Sequence, residues 1–262
     1  MAMAHQAERH GMPVVYSPFL RALKTTSLLR RKITTGMKDV QSMHFRWKRW
    51  VVATACCIAT IAAAQNPSEE NLTTNARFLV AARNADAEGL KRALAQGAAV
   101  DSRNRLGESA LIILLKKDRL DLAQVVLDAG ADVNQPAVNG ITPLMTAAFG
   151  GHTGMAKQLL AKGANPAALD RLQKNAMTYA AGAGRTEIVA MLLAHGVDAN
   201  AVYANDLTAL MWAAGFGKTD TVRVLLAAGA NPALKDNRGK TAADIARGEG
   251  FVDTVAILET KK

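Results

Sequence analysis

Cysteine, histidine and aromatic residues are all scarce in this chain, and each scarcity removes a class of function. Only two of the 262 residues are cysteine, and they are adjacent, Cys56 and Cys57, within an apolar run. Adjacent cysteines of that kind make no disulfide framework and have no zinc-ligand spacing. From residue 65 onward there is no cysteine, which leaves that part neither dependent on an oxidising compartment nor at odds with one. The same stretch holds two histidines, His152 and His195, and three serines, Ser68, Ser102 and Ser109. Neither histidine has a neighbouring nucleophile or metal-ligand spacing. No G-x-S-x-G, H-E-x-x-H, phosphate-loop or dinucleotide-binding pattern occurs. The inventory is that of a non-enzyme without metal or cofactor; a hydrolase using His152 or His195 with distant acids is the remaining catalytic alternative. Aromatic residues make up 5 % against 50 % hydrophobic overall, which suits helices packed through Ala and Leu.

The net charge of +10 suggests an anionic partner until it is divided along the chain. Residues 1–64 carry ten Lys/Arg and two Asp/Glu, whereas residues 65–262 carry twenty-two and twenty. The basicity belongs mostly to the leader, so nucleic acid is not expected as a partner.

Within that leader, the cationic segment His44-Phe45-Arg46-Trp47-Lys48-Arg49-Trp50 precedes a largely apolar stretch at 51–62, and Ala62-Ala63-Ala64 precedes Gln65. This pattern reads as a secretory signal peptide over 43–64, cleaved after Ala64. The apolar stretch is shorter than the roughly 20 residues a membrane span needs, so no membrane attachment is expected after cleavage. Residues 1–42 read either as a start set too early, with Met43 or Met37 the initiator, or as a basic extension; Arg21, Lys24, Arg30, Arg31 and Lys32 also fit an organellar transit sequence. Residues 65–74 are polar, contain Pro67 and form a linker.

From 75 to 262 the chain repeats itself. Glycines that follow an apolar helix end fall at Gly97, Gly130, Gly163, Gly196 and Gly229, and candidate helix caps at Ser109, Thr142, Asn175, Thr208 and Thr241. Every step is 33 residues, which predicts an all-α solenoid whose units cannot bury their apolar faces alone. The third unit shows the local physics. Thr142 caps a helix over 143–149 with Pro143 at its first position; Gly150-Gly151 breaks it; Thr153 caps a second helix to about Lys162, which Gly163 closes. Ala147-Ala148, Ala180-Ala181 and Ala213-Ala214 let first helices approach closely, while Leu114-Leu115 in the second unit predicts wider packing there. The unit beginning near Phe78 and the last unit, from Asp236, are atypical, as terminal caps should be, giving about six units.

Thr142-Pro143-Leu144 with Ala147-Ala148, Gly151-His152, Leu159-Leu160 and Gly163-Ala164-Asn165 resembles the ankyrin repeat, and Thr208-Ala209-Leu210 with Ala213-Ala214 and Gly229-Ala230-Asn231 keeps the same frame. The resemblance covers about residues 75 to 259. One departure stands out: the family's His after T-P-L is Ile112, Met145, Thr178, Met211 and Asp244 here, which removes the Thr–His bond expected at that turn.

The resemblance implies a monomeric, non-catalytic scaffold that binds another protein in a concave groove made of hairpin tips and first helices. Carried over position by position, the partner-binding tips are Arg105, Leu106, Val138, Asn139, Ile141, Arg171, Leu172, Lys174, Asn205, Leu207 and Arg238, and the helix side adds Lys116, Phe149 and Phe216. Phe149 and Phe216, with Tyr203 and Trp212 nearby, are candidate anchors, since aromatic and Arg side chains dominate hot spots. Trp212 and Tyr179 share one frame position and fit half-buried core equally well. The cluster Arg103, Arg105, Lys116 and Lys117 suits either an acidic partner or a solvated face. His152 and His195 read as structural, and Asp101, Asp132, Asp170 and Asp198 as turn residues. With the export signal, the expected location is periplasmic or secreted. The partner is then an envelope enzyme that is protected or regulated, or, for a secreted effector, a host protein.

Overall fold

The computed structural model describes residues 73–260. The expected leader segments 1–42 and 43–64, and most of the linker 65–74, lie outside the described residues. Twelve α-helices form six pairs: α1 (Thr74–Asn84) with α2 (Ala87–Ala95), α3 (Ala110–Lys116) with α4 (Leu120–Asp128), α5 (Pro143–Gly150) with α6 (Thr153–Ala161), α7 (Ala176–Ala183) with α8 (Thr186–Ala194), α9 (Ala209–Gly215) with α10 (Thr219–Ala227), and α11 (Ala242–Gly248) with α12 (Val252–Thr260).

Each first helix from α3 onward starts at a residue predicted as its cap. The side chains of Ser109, Thr142, Asn175, Thr208 and Thr241 accept from the backbone N–H three residues on, at 3.1–3.4 Å. Such a bond satisfies one of the orphan amides of the first turn, contributing roughly 1 kcal/mol per helix. The missing His is replaced in three units. Asn175 N–H donates to Thr178 Oγ1 at 3.1 Å, Thr241 N–H to Asp244 Oδ2 at 3.0 Å, and Thr142 N–H to Met145 Sδ at 3.5 Å. The turn is thus closed by local substitutes.

The second helix of the third unit starts differently from expectation. His152, not Thr153, occupies the cap position of α6, and no side chain caps that helix. Thr153 instead donates its hydroxyl to Glu187 Oε2 of the next unit at 3.1 Å. His152 Nε2 lies 3.1 Å from the carbonyl of Leu115, at the end of the preceding first helix. Arg119 and Arg185, at the equivalent positions, donate to the carbonyls of Ala85 (3.2 Å) and Phe149 (3.1 Å). A polar side chain at this position therefore serves the unsatisfied helix-end carbonyls of the unit before.

The first helices touch one another along the whole row, whereas contact between second helices is sparser and thins out between α2, α4 and α6. The closely packed row is the inner one, which curves the array with the first helices inside. Ala147, Ala148, Ala180, Ala181, Ala213 and Ala214 are fully buried between them. Leu111, Leu144, Leu159, Ile188, Leu192 and Leu225 fill the continuous core, each contributing roughly 2 kcal/mol on burial.

Candidate protein-binding groove

The hairpins that carry the tips are built alike. Each is closed by a backbone bond: Asn104 N–H to the Glu108 carbonyl, Ala137 to Ile141, Asp170 to Lys174, Tyr203 to Leu207 and Asp236 to Lys240. Asp170 Oδ1 also accepts from Leu172 and Lys174 N–H, and Asp236 Oδ1 from Arg238 and Lys240 N–H. These are turn roles of the kind expected for Asp. Successive hairpins are stitched by Val138 N–H to Leu106 O, Arg171 to Asn139 and Asn237 to Asn205, at 2.9–3.1 Å. Among the described residues, no such bond joins Leu172 to Ala204.

That junction is distinctive in three further ways. Asn205 and Asp206 both adopt left-handed φ, 61° and 59°, in a 3-10 turn at Ala204–Asp206. Between the outer loops, Asn134 and Asn200 each bridge to the next unit through Asn165 N–H and Asn231 N–H, but the residue between them in the frame is Ala167. Its polar connection is instead Asn175 Nδ2 donating to Tyr203 Oη at 2.8 Å. Burial pushes the Tyr203 phenol above its ordinary range.

Across the inner helices runs a line of aromatic rings. Phe149 meets Tyr179 edge to face with centroids 6.2 Å apart, and Trp212 stacks on Phe216 at 6.0 Å. Lys174 joins the two pairs: its Nζ lies 4.6 Å from the Trp212 centroid and 5.8 Å from that of Tyr179. Gly182, at Phe149's place one unit on, faces the Phe216 ring, from which a Cβ there would lie 3.5 Å, an ordinary contact. The Tyr179 hydroxyl donates to Asp170 Oδ2 at 2.7 Å. Burial, then the adjacent Asp170 carboxylate, holds that phenol well above its ordinary range.

Beside Phe149 the groove deepens into a cavity of about 540 Å³, walled by Leu115, Ile141, Met145, Thr146, Phe149 and Tyr179 and rimmed by Lys116, Asp118 and His152. Leu115, standing where later units have Ala148, Ala181 and Ala214, is one of its walls. Lys116 forms a 2.6 Å ion pair with Glu108. Burial raises the Glu108 carboxyl, but hydrogen bonds from Lys116 and Asn104 outweigh it and hold the group below its ordinary value.

The predicted tips divide into two sets. Arg105, Leu106, Val138, Asn139, Arg171, Leu172, Asn205 and Arg238 are exposed, as are Lys116, Phe149 and Phe216 on the helices. Ile141 and Leu207 are half-buried and pack against the core. Ile141 still reaches the cavity wall. Lys174 is half-buried over the rings rather than free, and Arg238 is bound to the buried carboxylate of Asp236 at 2.6 Å. Tyr179 and Trp212 turn out to be both things the sequence allowed, half-buried against the core with ring surface in the aromatic line. The cavity was not foreseen; Leu115 in an alanine position was its signal.

His152 is committed to Leu115 O, with Nδ1 3.5 Å from Asp118, and His195 Nδ1 lies 2.8 Å from Met191 O at a helix end. Among the described residues, no group of three or more His, Cys, Asp or Glu is placed to hold a metal ion, and no helix is long and apolar enough to cross a membrane.

The family model of ankyrin repeats matches in three overlapping copies, over residues 78–170, 117–203 and 177–261. Similar stretches occur in a putative E3 ubiquitin-protein ligase, XBAT34, of Arabidopsis thaliana (38 % identical over 100 residues, 37 % of this chain and 27 % of that protein). Others lie in the inactive serine/threonine-protein kinase TEX14 of Bos taurus (36 % over 91 residues, 35 % and 6 %) and inversin of Danio rerio (34 % over 101 residues, 38 % and 9 %). The aligned stretches thus make up between 6 and 27 % of the length of these relatives, and the likeness is one of repeats. Six stacked helix pairs, side-chain caps at 33-residue intervals and a family match spanning more than half its length lead to one assignment: this chain belongs to the ankyrin-repeat family, whose arrays are protein-interaction scaffolds.

Proposed function

We propose that this protein is a non-catalytic scaffold of the bacterial cell envelope, exported through residues 43–64, that binds another protein as a monomer in its concave groove. The observation that carries the groove reading is the exposed aromatic line. Phe149 and Phe216 are 61 % and 52 % exposed, although each would gain roughly 2–3 kcal/mol from burial. Large apolar groups held out of the core beside a cavity are what an interface needs, and buried aromatic anchors carry most interface energy. Export rests on the cationic, apolar and small-residue order at 44–64; absence of cysteine beyond it is compatible with that location. An envelope enzyme that is protected or regulated is the partner such a scaffold would serve.

Two measurements test the parts separately. Amino-terminal sequencing of the protein from the periplasmic fraction should begin at Gln65; a cytoplasmic, uncut chain removes the export reading. Crosslinking in the native host should capture a protein that the double variant Phe149→Ala, Phe216→Ala loses by about a hundredfold in affinity, while thermal stability changes little. Retention of that partner by the double variant removes the groove as the site.

A further inference from the structure

The groove's charges are unevenly satisfied. Between the first and third hairpins, Arg105, Lys117 and Arg171 are exposed and have no carboxylate partner among the described residues. Two of the three acids of the same inner stretch are engaged: Glu108 pairs with Lys116 at 2.6 Å and Asp170 is buried under the Tyr179 hydroxyl, whereas Asp118 stays exposed 3.5 Å from His152 Nδ1, one carboxylate against three cations. Lys174 has aromatic faces rather than a carboxylate as its neighbour. Beyond the third hairpin the imbalance disappears, because Asp206 and Glu249 are exposed and Arg238 is paired with Asp236. Charges with an internal counterion contribute little field; those without one are what an approaching partner meets. Lys117 lies in the chain between Lys116 and Asp118, two rim residues of the mostly apolar cavity of about 540 Å³, and Arg105 and Arg171 stand on the hairpins before and after the one that supplies Ile141 to its wall.

Resting on the reading of the groove as the protein-binding surface, we propose that it receives an extended, acidic segment of its partner carrying a bulky apolar side chain. That side chain fills the cavity beside Phe149, and the flanking carboxylates lie over Arg105, Lys117 and Arg171. Charge complementarity chooses this occupant: an apolar segment alone would leave the three cations unpaired, and a basic one would be repelled by them.

The test is selection from a phage-displayed library of random peptides on the immobilised full chain. Selected peptides are then measured by fluorescence polarisation against the wild type, Phe149→Ala/Phe216→Ala, and Arg105→Gln/Lys117→Gln/Arg171→Gln. Peptides with Asp or Glu flanking Trp, Phe or Leu are expected. Their affinity should fall about tenfold or more in the triple Gln variant, and the wild-type affinity should fall comparably between low and high salt, a readout that needs no variant. Peptides that are uncharged or basic, yet depend on Phe149 and Phe216, would overturn the acidic segment and leave the groove reading standing. Failure to select any peptide dependent on those two rings would overturn both. Displacement of the selected peptides by a tighter-binding mixed-sequence oligonucleotide would overturn the proposal in favour of nucleic acid.

Discussion

The Tyr179 hydroxyl donates to Asp170 Oδ2 at 2.7 Å, while Trp212, at the same place one unit on, buries an indole N–H that has no partner. The cause is one substitution in the frame: the residue 33 positions after Asp170 is Tyr203, which offers no carboxylate. Tyr179→Phe should therefore cost about 1.5–3 kcal/mol, the range for a bond to a charged group, and lie at its lower end because Asp170 keeps two backbone donors. Trp212→Phe loses no hydrogen bond and should cost only about 1 kcal/mol of packing. Urea unfolding of the two variants measures the contrast; equal losses would contradict it.

At the junction of the fourth and fifth units, Ala167 interrupts a ladder that Asn134 and Asn200 maintain on either side. Those two side chains donate to the carbonyls of Gly163 and Gly229 and accept from Asn165 and Asn231 N–H. Ala167→Asn places the same groups opposite Gly196 O and Asp198 N–H. It should stabilise the array by about 1 kcal/mol, a rise of about 2–4 °C in Tm by calorimetry.

Gly130 and Gly140 have nearly the same left-handed φ, 89° and 84°, but different surroundings. A Cβ at Gly130 meets nothing within 4 Å, whereas one at Gly140 comes within 2.8 Å of the Asp170 Cα in the next hairpin. Gly130→Ala should cost the conformational penalty alone, about 1–2 kcal/mol. Gly140→Ala should add roughly 1–3 kcal/mol for forcing two backbones apart, and chemical denaturation separates the two.

Acid should unfold the domain through a small set of carboxylates. The Arg119 hydrogen bond holds Asp121 down to about 2, and hydrogen bonds from Thr241 lower Asp244. Burial raises Asp236 and Glu108, but their donors more than reverse it. Because the folded values lie below the ordinary ones of 3.8 and 4.5, each contribution is complete above those values and is lost as pH falls through the folded ones. Tm should be flat above about pH 5 and decline from about pH 4.5 to pH 2. A Tm that rises on acidification over that window would contradict these assignments.

The array was legible because its signals are local. A cap such as Thr142, a Pro at the first helical position and a glycine such as Gly163 in left-handed conformation act within a few residues, and each occurs in phase with the period of 33. The site was legible only in outline. Phe149 and Phe216 were marked by being aromatic at positions held elsewhere by Gly182 and Ala183. The half-burial of Ile141 and Leu207 is not legible in the sequence, because which hairpin side chains turn inward depends on the units they rest against.

From the sequence alone come the all-α solenoid, the six units, the caps of the first helices, and the division of charge between leader and array, since all of these follow from residue type and spacing. Tertiary structure alone decides that Lys174 bridges two aromatic pairs, that His152 serves a carbonyl 37 residues earlier, that Asn175 reaches Tyr203 across 28, and that a cavity opens beside Leu115. These contacts join side chains of neighbouring units, and their geometry exists only once the stacking has brought residues about one period apart into contact.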